Sequence, residues 1–365
     1  MRYPKSLKKG DTIGFVAPSF GAFIEPYRSL FQNAILNFKA MGYSADLGPN
    51  VFEGTGIGIS STPENCGREL TTYYCRKENQ AVISVGGGEM MCETMEFTDF
   101  EKISASGPKW YMGYSDNTNF TFLLPTLCDT AAIYGPHAPT FGMEPWDESL
   151  KDAFMLLTGE KKCFTGYDTW EREEDPYNTD LLAPFNRTEE TRYILSNWDG
   201  KPVKGRFLGG CVEVLGTLVG THYDKVREFN ARYKNDGVIW FLEACELNSV
   251  GVERALWQMR EAGWFDTAKA FLIGRPGNFG DESFGLTQYE AVLREVRKLE
   301  KIFSEREGRE VKIPVIMDAD VGHLPPQIPI ISGGYGTICV RGAVKEEGND
   351  WTIGGKQFEI TYEER

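Results

Sequence analysis

Histidine is scarce: three in 365 residues, at His137, His222 and His323. Any chemistry that needs an imidazole must choose among these. The eight cysteines (Cys66, Cys75, Cys92, Cys128, Cys163, Cys211, Cys245 and Cys339) include no C-x-x-C pair, and no H-E-x-x-H occurs, so zinc has no ligand pattern to occupy. Scattered through apolar and helical runs, they read as free buried thiols in a reducing compartment. No eighteen apolar residues run together, and the apolar run behind the basic N-terminus is cut by Gly14 and Pro18. That excludes a membrane span and is too short for a signal-peptide core, so a cytoplasmic protein is expected. Positive charge is also in deficit, 39 Lys and Arg against 53 Asp and Glu for a net −14, which argues against nucleic acid and anionic membrane as partners.

What is present is alternating strand and helix. Hydrophobic residues at 41% and charged residues at 25% are globular values, and 365 residues exceed one ordinary core. Thr12 to Ala17 reads as a buried first strand, and Pro26 opens a helix whose Phe31, Ala34, Ile35 and Phe38 share a face. Tyr43 to Leu47 completes a βαβ start. Ala81 to Val85 is an apolar strand that runs into Gly86, Gly87 and Gly88, with helical residues from Met90. Glycines between a strand and a helix let backbone N–H groups face a ligand, but the G-x-G-x-x-G dinucleotide fingerprint is absent here, and a turn without a ligand is the other reading.

From Lys109 to Leu124 a short β-prone run is broken by Gly113, and apolar residues then recur at helical spacing from Asn117. Ser115 therefore falls in a tight strand-to-helix turn, beside N–H groups at a helix N-terminus. This is close to the nucleophile elbow G-x-S-x-G, with Asn117 in place of the second glycine. The alternative is that Ser115 or Asp116 merely caps the helix.

The segment from Gly166 to Thr191 changes character, with Trp170 and the acidic residues Glu171, Glu173, Glu174, Asp175 and Asp180, and reads as a connector and covering loop. Beyond it, Gly237 to Glu243 is a consecutively apolar strand ending on a carboxylate, and Tyr289 to Phe303 is an amphipathic helix. Val315 to Met317 leads into the turn that holds His323, and short β-prone runs from Gly336 onward, including Trp351 to Ile353, favour a β-rich, barrel-like second domain. The expected fold is α/β: residues 1–165 as an open parallel-sheet domain of flavodoxin or Rossmann type, 166–204 as linker and covering loop, and 205–365 as a β-rich α+β domain.

A serine nucleophile needs a base and a carboxylate to orient it. His137 follows Gly-Pro near the Ser115 region, His222 reads as solvent-side, and His323 sits in a Gly- and Pro-rich turn. Glu243 ends a buried strand, which suits the carboxylate, and Glu246 is a nearby competitor.

Several stretches resemble the LD-carboxypeptidase family of serine peptidases: Asp11 to Ser19, the glycine run at Gly86, Pro108-Lys109 leading to Gly113-Tyr114-Ser115-Asp116, Gly209-Gly210, Phe241-Leu242-Glu243 and Gly322-His323. The resemblance implies Ser115 as nucleophile, His323 as general base and Glu243 as orienting acid. It further implies an oxyanion hole from the N–H of Asp116 and of Gly87 or Gly88, a cytoplasmic homodimer, and no metal or other cofactor. The implied substrate is a muropeptide losing a terminal D-alanine. Glu89 and Met90 after the glycines depart from the recycling enzymes and resemble the microcin-immunity branch, whose substrates are peptidyl or aminoacyl nucleotides. In that branch an aromatic residue stacks on a nucleobase, a role open to Trp170. A reading of a different class is a non-catalytic α/β protein that holds an anion at the glycine loop.

Overall fold

The computed structural model describes residues 1–175, 178–341, 352–353 and 357–363. The first sheet has six strands in the order Ile330–Ser332, Ala132–Tyr134, Trp110–Gly113, Asn79–Ser84, Thr12–Val16 and Ser44–Leu47. The five from the N-terminal part are mutually parallel, and Ile330–Ser332 adds antiparallel to Ala132–Tyr134. By chain order the parallel strands run 2-1-3-4-5, the flavodoxin arrangement, which opens a crevice beyond the strand ends where the order reverses. The loops leaving Thr12–Val16 and Asn79–Ser84 meet there, with Phe20 N–H donating to Gly87 O at 2.7 Å. Helix Tyr27–Ala40 buries Phe31, Ala34, Ile35 and Phe38, as its spacing requires.

The second sheet has nine strands: Thr352–Ile353, Ile194–Ser196, Val315–Ala319, Ala268–Gly274, Val238–Glu243, Val203–Cys211, Tyr335–Arg341, Gln357–Glu363 and Cys163–Thr165. Its centre, from Val315–Ala319 to Val203–Cys211, is parallel, and the flanks are antiparallel. All six residues of Val238–Glu243 are buried, which is why that strand is apolar at consecutive positions: both faces of a parallel sheet are covered. Helices Ser249–Glu261 and Gln288–Glu307 make the crossovers, the latter opened by a Thr287–Glu290 capping box and closed by Gly308 at φ +66°. The β-rich region thus holds a parallel α/β centre that the sequence reading did not resolve. Of the expected strand Trp351 to Ile353, Trp351 lies outside the described residues.

Each region lends a strand to the other's sheet. Cys163–Thr165, from the end of the expected N-terminal segment, pairs with Gln357–Glu363, and Ile330–Ser332 returns to the first sheet. One core joins Phe15, Ile83 and Met112 to Phe207, Phe241 and Leu272, and a second joins Val16, Val82 and Tyr111 to Leu208, Trp240 and Leu242. The segment from residue 166 is a strap rather than a free loop. Thr169–Trp170 pairs with Glu189–Glu190, Tyr167 N–H donates to Asp320 Oδ2 (3.1 Å), and Glu171 N–H donates to Pro325 O (2.8 Å). Both anchors lie on the turn that carries His323. Asp320 is itself buried in an ion pair with Arg275 and accepts from Tyr193 Oη at 2.7 Å.

Among the described residues no helix is long and apolar enough to cross a membrane. The eight cysteines are free; Cys66, Cys128, Cys211 and Cys339 are buried, while Cys163 is exposed.

Candidate active site

The strand Trp110–Gly113 gives way to a single 3-10 turn, Ser115–Asn117, and then to helix Thr118–Leu127. Ser115 has φ +60°, a left-handed conformation that a non-glycine residue holds only when its surroundings impose it. Asn117 helps impose it. Its Nδ2 donates to Gly86 O (2.7 Å), and its Oδ1 accepts from Tyr111 Oη, tying the turn to the glycine loop and to the strand beneath. The asparagine that breaks the elbow pattern in sequence is therefore a tether in the fold.

Glu243 ends its strand at the same crevice, and Gly322 and His323 follow Val315–Ala319, two strands away across Ala268–Gly274. His323 Nε2 lies 2.8 Å from Ser115 Oγ, and His323 Nδ1 lies 2.8 Å from Glu243 Oε2. The carboxylate is fully buried and the imidazole one-fifth exposed. Burial alone would lower the proton affinity of His323, but the Glu243 carboxylate outweighs it and holds the ring above its ordinary value. Burial would likewise raise Glu243, yet the facing imidazole and the bonds from His323, Tyr134 and Cys211 bring it below the usual carboxylate range. Position 322 must be glycine: its φ is +103°, and a Cβ there would stand 2.7 Å from Glu243 Oε2.

Tyr134, fully buried on the first sheet, was not singled out from the sequence. Its Oη donates to Glu243 Oε1 at 2.5 Å and accepts from Ser115 N–H at 3.2 Å, so one hydroxyl ties the carboxylate of the second sheet to the backbone of the elbow. A tyrosine in a three-residue apolar strand carries no sequence signal for that task.

Gly87 borders the serine, since a Cβ there would lie 3.1 Å from Ser115 Oγ. Its carbonyl is taken by Phe20 N–H, so the trans peptide turns the Gly88 N–H the other way. Asp116 is buried, and burial pushes its carboxyl up to about 6 despite the bonds from Ser19 Oγ (2.6 Å) and Met91 N–H (2.9 Å). It joins the elbow to the loops after the first and third strands. Beside Ser115 lies a cavity of about 210 Å³ lined by Gly88, Glu89, Asp116, Asn119, Glu213 and Glu246 among others. Glu89 thus faces the site, and Glu246 lines the cavity while Glu243 is the carboxylate on His323.

The remaining sequence candidates do not join this chain of contacts. His137 is buried and stacked on Tyr114 at 4.3 Å, with Nε2 3.0 Å from Tyr114 O, and burial pulls it down to about 3, so it is a neutral packing residue below the elbow. His222 is exposed beside Tyr223. Trp170 lies in the strap. It is 5% exposed, its Nε1–H donates to Glu190 O (3.2 Å), and its ring packs on Phe279 and the Arg275 guanidinium. The ring is thus packed into the strap's own core. Among the described residues no group of three His, Cys, Asp or Glu could hold a metal ion.

Comparisons with known proteins agree with this arrangement of strands. The chain is 25% identical over 270 residues to a Bacillus subtilis protein named "Probable murein peptide carboxypeptidase", covering 74% of this chain and 73% of that one. It shares its fold with the microcin immunity protein MccF solved with glutamyl sulfamoyl guanosine (TM-score 0.75, 20% identity, 99% of this chain and 98% of that one). It also shares it with muramoyltetrapeptide carboxypeptidase from Oxalobacter formigenes (TM-score 0.66, 19% identity, 97% and 99%). The LD-carboxypeptidase N-terminal domain matches residues 13–135 and the LD-carboxypeptidase C-terminal domain matches residues 204–338, and with both halves matched in order the chain belongs to the LD-carboxypeptidase family.

Proposed function

We propose that the protein is a serine peptidase of LD-carboxypeptidase type acting through Ser115, His323 and Glu243. The observation that carries this is the unbroken chain of two 2.8 Å contacts from hydroxyl to imidazole to carboxylate. His323 Nε2 takes the Ser115 proton as Oγ attacks the amide carbonyl, and Glu243 holds the ring and balances the imidazolium. The oxyanion is received by N–H groups of the elbow and glycine loop, Asp116 with Gly87 or Gly88. Such donors are each worth about 2.7–4 kcal/mol of transition-state stabilisation. His323 then protonates the leaving amine, and water, activated by the same imidazole, releases the acyl group.

The substrate we favour is a muropeptide that loses its terminal D-alanine, which the Bacillus subtilis and Oxalobacter formigenes relatives support by name. A second reading, hydrolysis of an aminoacyl nucleotide, draws on the likeness to MccF. Turnover of an L,D-tetrapeptide and of an aminoacyl sulfamoyl adenosine, with labelling by a fluorophosphonate, tests both. Ser115→Ala should abolish labelling and reduce turnover to background. Retained turnover in that variant overturns the nucleophile assignment. Absence of both labelling and turnover in the wild type favours a binding protein.

A further inference from the structure

Three neighbouring strands of the second sheet deliver buried polar side chains to one end. Asp320 follows Val315–Ala319 and Arg275 follows the parallel strand Ala268–Gly274, while Tyr193 precedes the antiparallel strand Ile194–Ser196. None is more than 1% exposed. Arg275 Nη2 donates to Asp320 Oδ1, and Asp320 Oδ2 accepts from Tyr193 Oη (2.7 Å) and from Tyr167 N–H of the strap (3.1 Å). Trp170 closes the group on the strap side, its ring centroid 5.1 Å from the Arg275 guanidinium. The strap and both flanking strands are therefore fastened to one carboxylate, just ahead of His323 in the chain.

The backbone there needs fastening. Asp318 has φ +58°, a left-handed value that a non-glycine residue holds only under constraint, and Gly322 has φ +103°. Asp318 is held by Tyr289 Oη (2.6 Å), and Arg275 opposes part of the burial that pushes its carboxyl up to about 6. Ile328 N–H donates to Asp320 O (2.7 Å), so the loop that carries His323 opens and closes on Asp320. A buried ion pair is often no more stabilising than apolar residues of the same volume, and Arg275 Nη1 has no partner among the described residues. What a guanidinium fork facing a carboxylate supplies is a fixed direction.

We infer that Arg275 and Asp320 are positioning residues for His323: the pair pins the turn so that the imidazole stays within reach of Ser115, and Tyr193 and the strap hold the pair. Their bonds go to one another, to Tyr193 and to the strap, so they act through the backbone of the turn. A displacement of about 1 Å at a reacting group can cost about 100-fold in rate, so the pin acts on kcat and not on substrate affinity. The inference rests on the serine-peptidase reading and deepens it.

The test reads turnover of an L,D-tetrapeptide, the rate of Ser115 labelling by a fluorophosphonate and the downfield proton resonance of His323 Nδ1–H, each beside a thermal melt. Arg275→Met strands a buried carboxylate and should lower the melting temperature; Arg275→Lys keeps the charge without the fork, and Tyr193→Phe keeps the ring and removes only its 2.7 Å bond. In folded Arg275→Met kcat and the labelling rate should fall about tenfold or more with KM little changed, and the resonance should shift or broaden. Arg275→Lys should recover most of the loss, and Tyr193→Phe should lower kcat about fivefold at a near-normal melting temperature. Lowered melting temperatures with kcat, labelling and resonance as in wild type make the pair structural only and overturn the inference, as does a loss confined to KM. If Arg275→Met does not fold, Tyr193→Phe decides by the same readouts. Labelling and the resonance need no substrate, so they test the pair even where the tetrapeptide is not turned over. Wild-type behaviour in the variants of a labelled enzyme defeats the pin and leaves the serine chemistry standing, whereas a wild type that is not labelled at Ser115 defeats both.

Discussion

Replacing Tyr134 with phenylalanine removes one oxygen and leaves the ring, so the core around it stays filled. The missing hydroxyl leaves Glu243 Oε1 without its 2.5 Å donor in a buried place and Ser115 N–H without its 3.2 Å acceptor in a half-buried one. A hydrogen bond to a charged group contributes about 1.5–3 kcal/mol. If that contribution is expressed fully in the transition state, kcat falls about 10- to 150-fold, at about 1.4 kcal/mol per decade. Because the Tyr134 bond is one of those that lower the proton affinity of Glu243, its loss makes the carboxylate a stronger partner for the imidazolium. His323 then gives up its proton at higher pH, and the acid limb of kcat/KM moves up. The assay is kcat and KM for an L,D-peptide across pH, with a thermal melt to measure the fold. KM should change little, since the hydroxyl faces the triad and not the cavity. Kinetics within twofold of wild type, with an unmoved acid limb, would refute the claim that Tyr134 positions the triad.

Glu243→Gln should reduce kcat/KM by about three to four orders of magnitude, as expected when a triad loses its orienting charge. Without the carboxylate, burial governs His323, so the acid limb of the residual activity should drop below 6.5, and a limb that stays high counts against the pairing. The pair also sets a stability window. The raised His323 contributes below its unfolded value of 6.5 and fades as pH rises through its folded value, while the lowered Glu243 contributes above 4.5 and fades as pH falls; the wild-type excess over Glu243→Gln should therefore be widest between these values in pH-dependent melts. Gly87→Ala would put a methyl 3.1 Å from Ser115 Oγ and 3.4 Å from His137 Cε1, and should lower kcat about tenfold or more with little change in melting temperature; an unchanged kcat would place the loop farther from the chemistry. Trp170→Ala should cost about 3–5 kcal/mol of stability as a truncated core residue, measured by denaturant titration, and leave the affinity of folded protein for an aminoacyl sulfamoyl adenosine unchanged. A loss of affinity at unchanged stability would instead support the stacking role.

Local order was legible in the chain. Trp110 to Leu124 reads as strand, turn and helix because β-propensity, a breaking glycine and a 3.6-residue repeat act within a few residues of one another, and the turn placed Ser115 where the structure has it. The glycine loop after Asn79–Ser84 and the consecutively apolar strand Val238–Glu243 were legible for the same reason. Scarcity narrowed the base to three imidazoles, yet the residues alone did not separate His323 from His137, nor Glu243 from Glu246; family resemblance pointed to one of each. The tertiary structure decided what depends on distant partners: contacts that span 208 residues from Ser115 to His323, 80 from Glu243 to His323 and 109 from Tyr134 to Glu243. Periodicity carries no information about which strand ends share a crevice, so Tyr134, Asn119 and Glu213 had no voice in the pattern. The same limit hid the exchanged strands Cys163–Thr165 and Ile330–Ser332 and the burial of Trp170, since pairing and packing across the chain follow from sheet order and not from neighbours in sequence.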